Sequence, residues 1–140
     1  MKILLPVDGS EYTKRMLAYL AAHDEFLAGD HERIVFTVVA PIPPHAARYV
    51  EKNILDEHYR EQADKVLAPV RTFADQNRWK IRTAWAHGPA AESIADFAAK
   101  EKPGLIVMGT HGHSALGNVL LGSVATGVIA RCKAPVLLIP

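Results

Sequence analysis

Two patterns of apolar residues alternate along this chain. In the first, four short segments are apolar almost throughout and rich in Val, Ile and Leu. They are residues 3–7, 34–40, 105–108 and 136–139. Strands of a parallel sheet have this composition when helices cover both faces of the sheet. A fifth segment, residues 80–86, alternates apolar and polar positions, which is typical of a less buried strand at a sheet edge.

The second pattern is helical spacing, and it occupies the stretches between the strands. The residues that carry it are Met16, Leu17, Leu20 and Leu27, then residues 63–74, then Ile94, Phe97 and Ala98, and finally residues 123–131. The resulting order, β-α-β-α-β-α-β-α-β, predicts one α/β domain over residues 1–140. We expect an open, doubly wound sheet of five parallel strands with helices on both faces.

Polar residues and prolines predict where these helices begin and bend. Ser10 is placed to cap the first helix. Pro69 interrupts the second helical pattern and predicts a kink or a restart. Pro89 suits the first turn of the third helix. Three prolines within residues 41–45 predict a loop without regular structure above the strand ends.

Composition narrows the functional classes. The chain of 140 residues has 16 basic and 15 acidic side chains, so a nucleic-acid-binding surface is not expected. Its single cysteine, Cys132, can form neither an intrachain disulfide nor a cysteine-rich metal cluster. No apolar run approaches the ~18 residues of a membrane span, and the apolar start is too short for a signal peptide. We therefore expect a cytoplasmic protein without membrane insertion.

The first candidate for chemistry is the carboxylate of Asp8, in the turn after the first strand. Ligands of open α/β sheets bind beyond the carboxyl ends of the strands, near the point where the strand order reverses. Asp8 could serve only as a helix cap, which is the common role of Asp at such a junction. If Ser10 caps the helix alone, however, Asp8 is free to contact a ligand.

The second candidate is the glycine-rich segment that follows the fourth strand. Gly109, Gly112, Gly117 and Gly122 lie within it, and Ser123 then opens the last helix. Glycines let backbone amides approach a ligand closely, and a helix N-terminus favours an anion. The segment is therefore either a phosphate-binding loop or an ordinary flexible surface loop. A P-loop is excluded because the lysine before Ser123 is missing, and no G-x-G-x-x-G follows the first strand.

These motifs together resemble the ATP-binding universal stress proteins. Gly109-x2-Gly112-x9-Gly122-Ser123 matches the G-2x-G-9x-G-(S/T) motif of that family, and Pro6-x-Asp8-x-Ser10 matches its first-strand motif. The resemblance spans the whole chain and implies a 3-2-1-4-5 strand order. It also implies ATP as the ligand, with a divalent ion, Mg²⁺ or Mn²⁺, at the phosphates.

The resemblance further implies a role for individual residues. Asp8 would lie beside the adenosine, Val38 would offer backbone groups to the adenine edge, and Gly109 would lie against the ribose. Gly112, Gly122 and Ser123 would hold the phosphates. The full set expected to bind nucleotide is Pro6, Asp8, Val38, Met108, Gly109, His111, Gly112, Gly122, Ser123 and Val124.

Two positions depart from the family pattern. Ala40-Pro41 replaces an acidic residue often found after the second strand. Gly127 lies in the middle of the last helix, where the family usually has a larger residue, and it predicts a close contact between elements. His111 and His113 lie two residues apart, but a metal site needs three or four convergent ligands, so none is predicted.

Two functional classes remain open. The favoured one is a nucleotide-dependent regulator in the stress response that acts through dimerisation or an unidentified protein partner. The other is an enzyme, either a slow ATPase or a phosphotransferase. Because the glycine loop has no Lys or Arg to stabilise a transferring phosphate, we expect weak turnover at most and name no catalytic residue. A relative of adenylating enzymes or pyrophosphatases is disfavoured, since residues 8–10 lack their Ser-Gly-Gly loop.

The apolar last strand predicts a homodimer, because an exposed sheet edge invites pairing.

Overall fold

Five strands and the helices between them follow one another in the predicted order. The computed structural model of this chain describes residues 1–113 and 118–140, without the side chains of Phe26 and Leu27. The strands are β1 (Lys2–Pro6), β2 (Glu32–Val39), β3 (Ile81–His87), β4 (Leu105–Gly109) and β5 (Val136–Ile139). The helices are α1 (Glu11–Ala22), α2 (Pro44–Ala47), α3 (Lys52–Gln76), α4 (Ala90–Glu101) and α5 (Ser123–Arg131), with a 3₁₀ turn at Asp24–Leu27.

The strands form one parallel sheet in the order β3-β2-β1-β4-β5, which confirms the predicted fold class. The direction of connection reverses at β1, whose neighbours are β2 and β4. Leu4 of β1 pairs with Ile34 on one side and with Ile106 on the other. The alternating segment, β3, lies at an edge as predicted.

Each face of the sheet has its own apolar core, because successive side chains of a strand point to opposite faces. On one face Ile3, Leu5 and Val107 pack with residues of α1 and α3. On the other face Leu4 and Ile106 pack with residues of α4 and α5. The central strands are therefore buried on both sides, which explains their continuous apolar composition.

Three local predictions about the helices were wrong in whole or in part. The first helix ends at Ala22, and Leu27 belongs to the separate 3₁₀ turn. The second predicted helix, α3, runs through Pro69, so the predicted restart is absent, whereas the alternative of a kink stays a prediction. Proline removes one backbone donor there, and the long apolar face buried against the sheet compensates for that loss. Residues 41–45 are not wholly irregular, because Pro44 opens α2 as a first-turn proline, where no N–H is required.

The prediction for Gly127 was correct. A Cβ built on Gly127 would lie 2.5 Å from the Cβ of Ala91, so the glycine lets α5 pack closely against α4. Within the two described ranges, no helix has both the length and the apolarity needed to cross a membrane.

Candidate functional site

A cavity of about 650 Å³ lies at the carboxyl ends of β1, β2 and β4, where the strand order reverses. This volume is in the range of small-molecule sites. All ten residues expected to bind nucleotide line it: Pro6, Asp8, Val38, Met108, Gly109, His111, Gly112, Gly122, Ser123 and Val124. The fold thus brings together residues from four separate segments, and their contact with a nucleotide stays a prediction.

The carboxylate of Asp8 is held by hydrogen bonds from three directions. Its Oδ1 accepts from the backbone N–H of Ser10 at 2.9 Å and from the hydroxyl of Thr13 at 3.0 Å. Its Oδ2 accepts from the backbone N–H of His113 at 3.2 Å. The expectation that Asp8 would be free for a ligand was therefore incomplete, since the carboxylate also organises the turn and the glycine loop.

Ser10 occupies the N-cap position of α1, but its side chain makes no capping hydrogen bond. The predicted N-cap position of Ser10 is therefore confirmed, but its hydroxyl does not supply the cap. Its Oγ is buried and forms no well-aligned hydrogen bond with any described residue. Asp8 Oδ1 accepts the backbone N–H of Ser10 itself, and Gly9, at φ 77°, makes the tight turn that allows this bond.

Opposing effects act on the pKa of Asp8. Burial raises the pKa, while hydrogen bonds from Ser10 and Thr13 and the nearby His113 lower it, and the net result is a pKa below the usual value. The group is therefore an anion at neutral pH, with its negative charge facing the cavity.

Backbone groups of Val38 also face the cavity, for a reason set by strand register. In a parallel ladder, alternate residues direct their N–H and C=O to the same neighbouring strand. Phe36 accepts the N–H of Val7, on the β1 side, whereas Val39 accepts the N–H of Gly88, on the β3 side. The backbone N–H and C=O of Val38 therefore point toward the β1 side. Because β1 has already ended at Pro6, these two groups face the cavity instead of a neighbouring strand.

Glycines at the end of β4 bring the backbone into close contact with its surroundings. A Cβ on Gly112 would collide with Oδ2 of Asp8. A Cβ on Gly122 would lie 3.0 Å from the carbonyl oxygen of Thr110. A Cβ on Gly109 would lie 2.8 Å from Cβ of Tyr12, so glycine is needed there for the packing of α1 as well. Residues 114–117, in the middle of the predicted glycine loop, lie outside the described residues.

The N-terminus of α5 opens directly on the cavity. Gly122 is its N-cap and has no side chain that could cap the helix, so within residues 1–113 and 118–140 the first amides are placed to meet an acceptor in the cavity. Ser123 and Val124 supply the first of these amides, and the helix dipole favours an anion beside them. The described cavity lining contains no Lys or Arg, and its basic side chains are those of His111 and His113.

Both histidines of the glycine loop bind the protein itself. Because the carbonyl of Val119 can only accept, His111 donates through Nε2–H to it at 2.7 Å, and its Nδ1 lies 2.9 Å from the Thr110 hydroxyl. His113 donates through Nε2–H to the carbonyl of Asp8 at 2.7 Å. Among described residues, no group of three or more His, Cys, Asp or Glu side chains could hold a metal.

Sequence reasoning missed several residues of the cavity wall. Thr13 is the most informative, because it touches Asp8 directly and its hydroxyl lies in the first turn of α1. The others are apolar residues that the motifs leave unspecified or do not reach: Val7, Phe36, Ala40, Ala90, Ile94, Val119 and Ala125. A polar residue in the first turn after Asp8 was the one available signal for Thr13, whereas the apolar residues looked like ordinary core.

Comparisons with known proteins agree with this architecture. The model of the Universal stress protein family matches residues 1–140. The universal stress protein MJ0531 of Methanocaldococcus jannaschii is 33% identical, over 99% of this chain and 81% of that protein. A universal stress protein of Thermus aquaticus is 34% identical, over 98% of this chain and 96% of its own length. The solved structure of MJ0577 of Methanocaldococcus jannaschii has a TM-score of 0.79 at 28% identity, covering 99% of this chain and 94% of that one.

Three further solved structures share the fold and contain adenine nucleotides. They are a universal stress protein in complex with cAMP, an Arabidopsis thaliana protein of the family with AMP, and an Archaeoglobus fulgidus universal stress protein with dAMP. Their TM-scores are 0.61, 0.70 and 0.67, at identities of 23%, 14% and 21%. At these identities the likeness shows the fold.

Proposed function

This chain belongs to the universal stress protein family, and from that premise we propose that it binds ATP in the cavity and acts as a nucleotide-dependent regulator. The observation that carries the proposal is the convergence of ten residues, expected from the sequence through its family resemblance, on one cavity of suitable volume. Adenine nucleotides in universal stress proteins of the same fold make this class the first to test.

One part of the cavity suits an adenine ring. Phe36, Val38 and Ile94 give it apolar walls, and such walls exclude water from a planar base. The outward N–H and C=O of Val38 match the donor and acceptor pattern of an adenine edge. Asp8, an anion with Oδ2 turned toward the cavity, is placed to accept a hydrogen bond from a base or a ribose hydroxyl.

Another part of the cavity suits phosphates. Gly112 and Gly122 lack side chains that would block approach, and the first amides of α5 point into the same space. Ser123 adds a hydroxyl. A Mg²⁺ or Mn²⁺ ion would be held chiefly by phosphate oxygens and water, because the described residues gather no set of three acidic or His ligands there.

Calorimetry with purified protein tests the binding proposal. We expect ATP with Mg²⁺ to bind, and we expect Gly122→Val to abolish binding, since even a methyl group at Gly122 meets the Thr110 carbonyl. GTP serves as the ligand control, and chromatography of nucleotide released on denaturation identifies any resident ligand. Wild-type protein that binds no adenine nucleotide at millimolar concentration would contradict the proposal.

The same cavity supports slow ATP turnover or none. Rapid phosphoryl transfer needs positive charge at the transferring phosphate and a group that positions the nucleophile. The described lining lacks Lys and Arg, and the rings of His111 and His113 are engaged with protein oxygens. Hydrolysis at ~10 per second, an ordinary enzymatic rate, that disappears in Gly122→Val would instead establish an enzyme.

We also propose a homodimer built on β5. This strand lies at an edge of the sheet. The carbonyls of Pro135 and Ile139 accept hydrogen bonds from Ile106 and Thr110, so the backbone groups of these alternate residues face β4. The N–H of Leu138, between them, therefore points outward from the sheet. An unpaired apolar edge favours pairing, and an isologous two-fold contact closes without forming filaments.

A matched pair of variants tests the dimer. Leu138→Pro removes the outward N–H, whereas Leu138→Ala removes the same side chain and keeps that N–H. Lysines at Leu137 and Leu138 are less informative, because these side chains pack on the two cores of the protomer itself. We expect light scattering to show a dimer for wild type and Leu138→Ala and a monomer for Leu138→Pro. A monomeric wild type at micromolar concentration, or a dimeric Leu138→Pro, would reject this interface.

A further inference from the structure

Thr13 makes an unusual pair of contacts with one residue. Its side chain lines the cavity, yet the residue is only 6% exposed. Its hydroxyl accepts from the backbone N–H of Asp8 at 3.1 Å and donates to Oδ1 of the same residue at 3.0 Å. One hydroxyl thus clamps the main chain and the carboxylate of Asp8 together.

As a result, the two carboxylate oxygens of Asp8 face different partners. Oδ1 faces α1 and accepts hydrogen bonds from the Thr13 hydroxyl and the Ser10 N–H. Oδ2 is turned toward Gly112 and His113, at the rim of the cavity. A carboxylate has about four acceptor sites, so Oδ2 keeps capacity for a ligand hydroxyl or amine.

We propose that Thr13 is the positioning residue of this site: its hydroxyl fixes the Asp8 carboxylate so that Oδ2 meets the adenosine part of the nucleotide. The inference rests on the proposed function and adds a residue that acts through Asp8. The other bond to Oδ1 comes from a backbone N–H and survives any side-chain substitution. Substitution of Thr13 therefore removes a side-chain contact that orients Asp8 without altering Asp8 itself.

Thr13→Val is the informative substitution, because it keeps nearly the same shape and replaces the hydroxyl by a methyl group, which removes both bonds to Asp8. We expect it to weaken ATP binding by about tenfold, the size of one charge-assisted hydrogen bond. Thr13→Ser keeps the hydroxyl and should stay within about threefold of wild type. The matched control is Thr72→Val in α3, an exposed helical threonine whose hydroxyl bonds to the carbonyl of Ala68, away from the cavity.

A double-mutant cycle separates positioning from general loss of structure. If Thr13 acts through Asp8, Thr13→Val should weaken binding far less in an Asp8→Ala background than in wild type. Unfolding curves of each variant correct the affinity for the folded fraction. If Thr13→Val fails to fold, Thr13→Ala and Thr13→Ser supply the same comparison.

Titration of Asp8 in the ligand-free protein gives a readout that needs no nucleotide. Carboxyl ¹³C NMR, with the signal assigned by Asp8→Asn, should show ionisation at higher pH in Thr13→Val than in wild type, because a donor to the anion is lost. Thr72→Val should leave the pH at which Asp8 ionises unchanged.

The outcomes distinguish the two proposals. Wild-type protein that binds no adenine nucleotide would overturn the proposed function and this inference with it. Wild-type binding with unchanged affinity in Thr13→Val, or equal losses in the presence and absence of Asp8, would overturn the role of Thr13 alone. Weakened binding that depends on Asp8, together with the shifted titration, would establish it.

Discussion

The polar groups at the two ends of the sheet are arranged differently: they pair with one another at the amino end and face the cavity at the carboxyl end. At the amino end, Lys2, Glu32, Arg82 and Glu101 form a chain of ion pairs. The separations are 3.2 Å for Lys2–Glu101, 2.8 Å for Arg82–Glu101 and 3.1 Å for Arg82–Glu32. These charges satisfy one another and connect the starts of β1, β2 and β3 to the end of α4.

At the carboxyl end, the polar groups come from the turns that lead into helices. Asp8 is held by amides and a hydroxyl, and the N-terminus of α5, with Gly122 at its N-cap, faces the cavity. No cation neutralises the carboxylate among its described hydrogen-bond donors. The comparison shows that charged side chains pair with one another at the amino end, whereas glycines and helix N-termini leave backbone donors available to a ligand at the carboxyl end.

Glycine substitutions at the two ends should give the largest contrast. Gly112→Ala places a methyl group against Oδ2 of Asp8 and must displace this oxygen. Loss of its charge-assisted hydrogen bond to the ligand should weaken ATP binding by about 3 kcal/mol, on the order of a hundredfold. Gly104→Ala at the amino end meets chiefly the flexible end of Met1, which can move. Calorimetry should show near-normal affinity for Gly104→Ala, and equal losses in both variants would break the comparison.

Neutral isosteres of the two acidic residues should separate binding from stability. Asp8→Asn replaces an acceptor oxygen by an amide donor and should cost about 1.5–3 kcal/mol of binding, or at least tenfold in affinity. Glu101→Gln should leave affinity unchanged and lower the free energy of unfolding, because it weakens the bonds to Arg82 and Lys2. Urea unfolding and calorimetry on both proteins measure the two effects; a binding loss in Glu101→Gln would contradict the separation.

Acid should destabilise the amino end within a defined interval. Hydrogen bonds from Arg82, and then from Lys2, lower the pKa of Glu101 from 4.5 to about 2. Since the anion is favoured in the folded state, its stabilisation is present above pH ~4.5 and is lost as the pH falls toward ~2. The free energy of unfolding should fall less steeply across this interval in Glu101→Gln. Parallel curves for the two proteins would show that Glu101 does not carry the effect.

The fold was predictable because its determinants are periodic and local. Continuous apolar segments identified the central strands, the alternating segment identified the edge strand β3, and the helices between them implied a parallel sheet. Glycine spacing and Asp8 identified residues that all reached one cavity. Gly127, a costly residue in a helix, correctly indicated close packing, here against Ala91.

The wrong predictions share a different cause. Ser10 lies at the predicted N-cap of α1, but its hydroxyl makes no capping bond, and it is the Asp8 carboxylate that organises this turn through the N–H of Ser10 and the hydroxyl of Thr13. Pro69 could break α3 only if the helix lacked support, but its buried face packs against the sheet. Each outcome depends on competition between neighbouring groups, which a residue pattern does not rank.

By itself, the sequence determined the element types, their order, the family motifs and the set of residues at the strand ends, because these follow from side-chain chemistry and spacing. Only the tertiary structure decided which of those groups bind one another. It joined Thr13 to Asp8, turned Oδ2 toward Gly112, and directed the backbone of Val38 past the end of β1. Hydrogen bonds depend on distance and direction to within fractions of an ångström and tens of degrees, and only the folded chain sets those values.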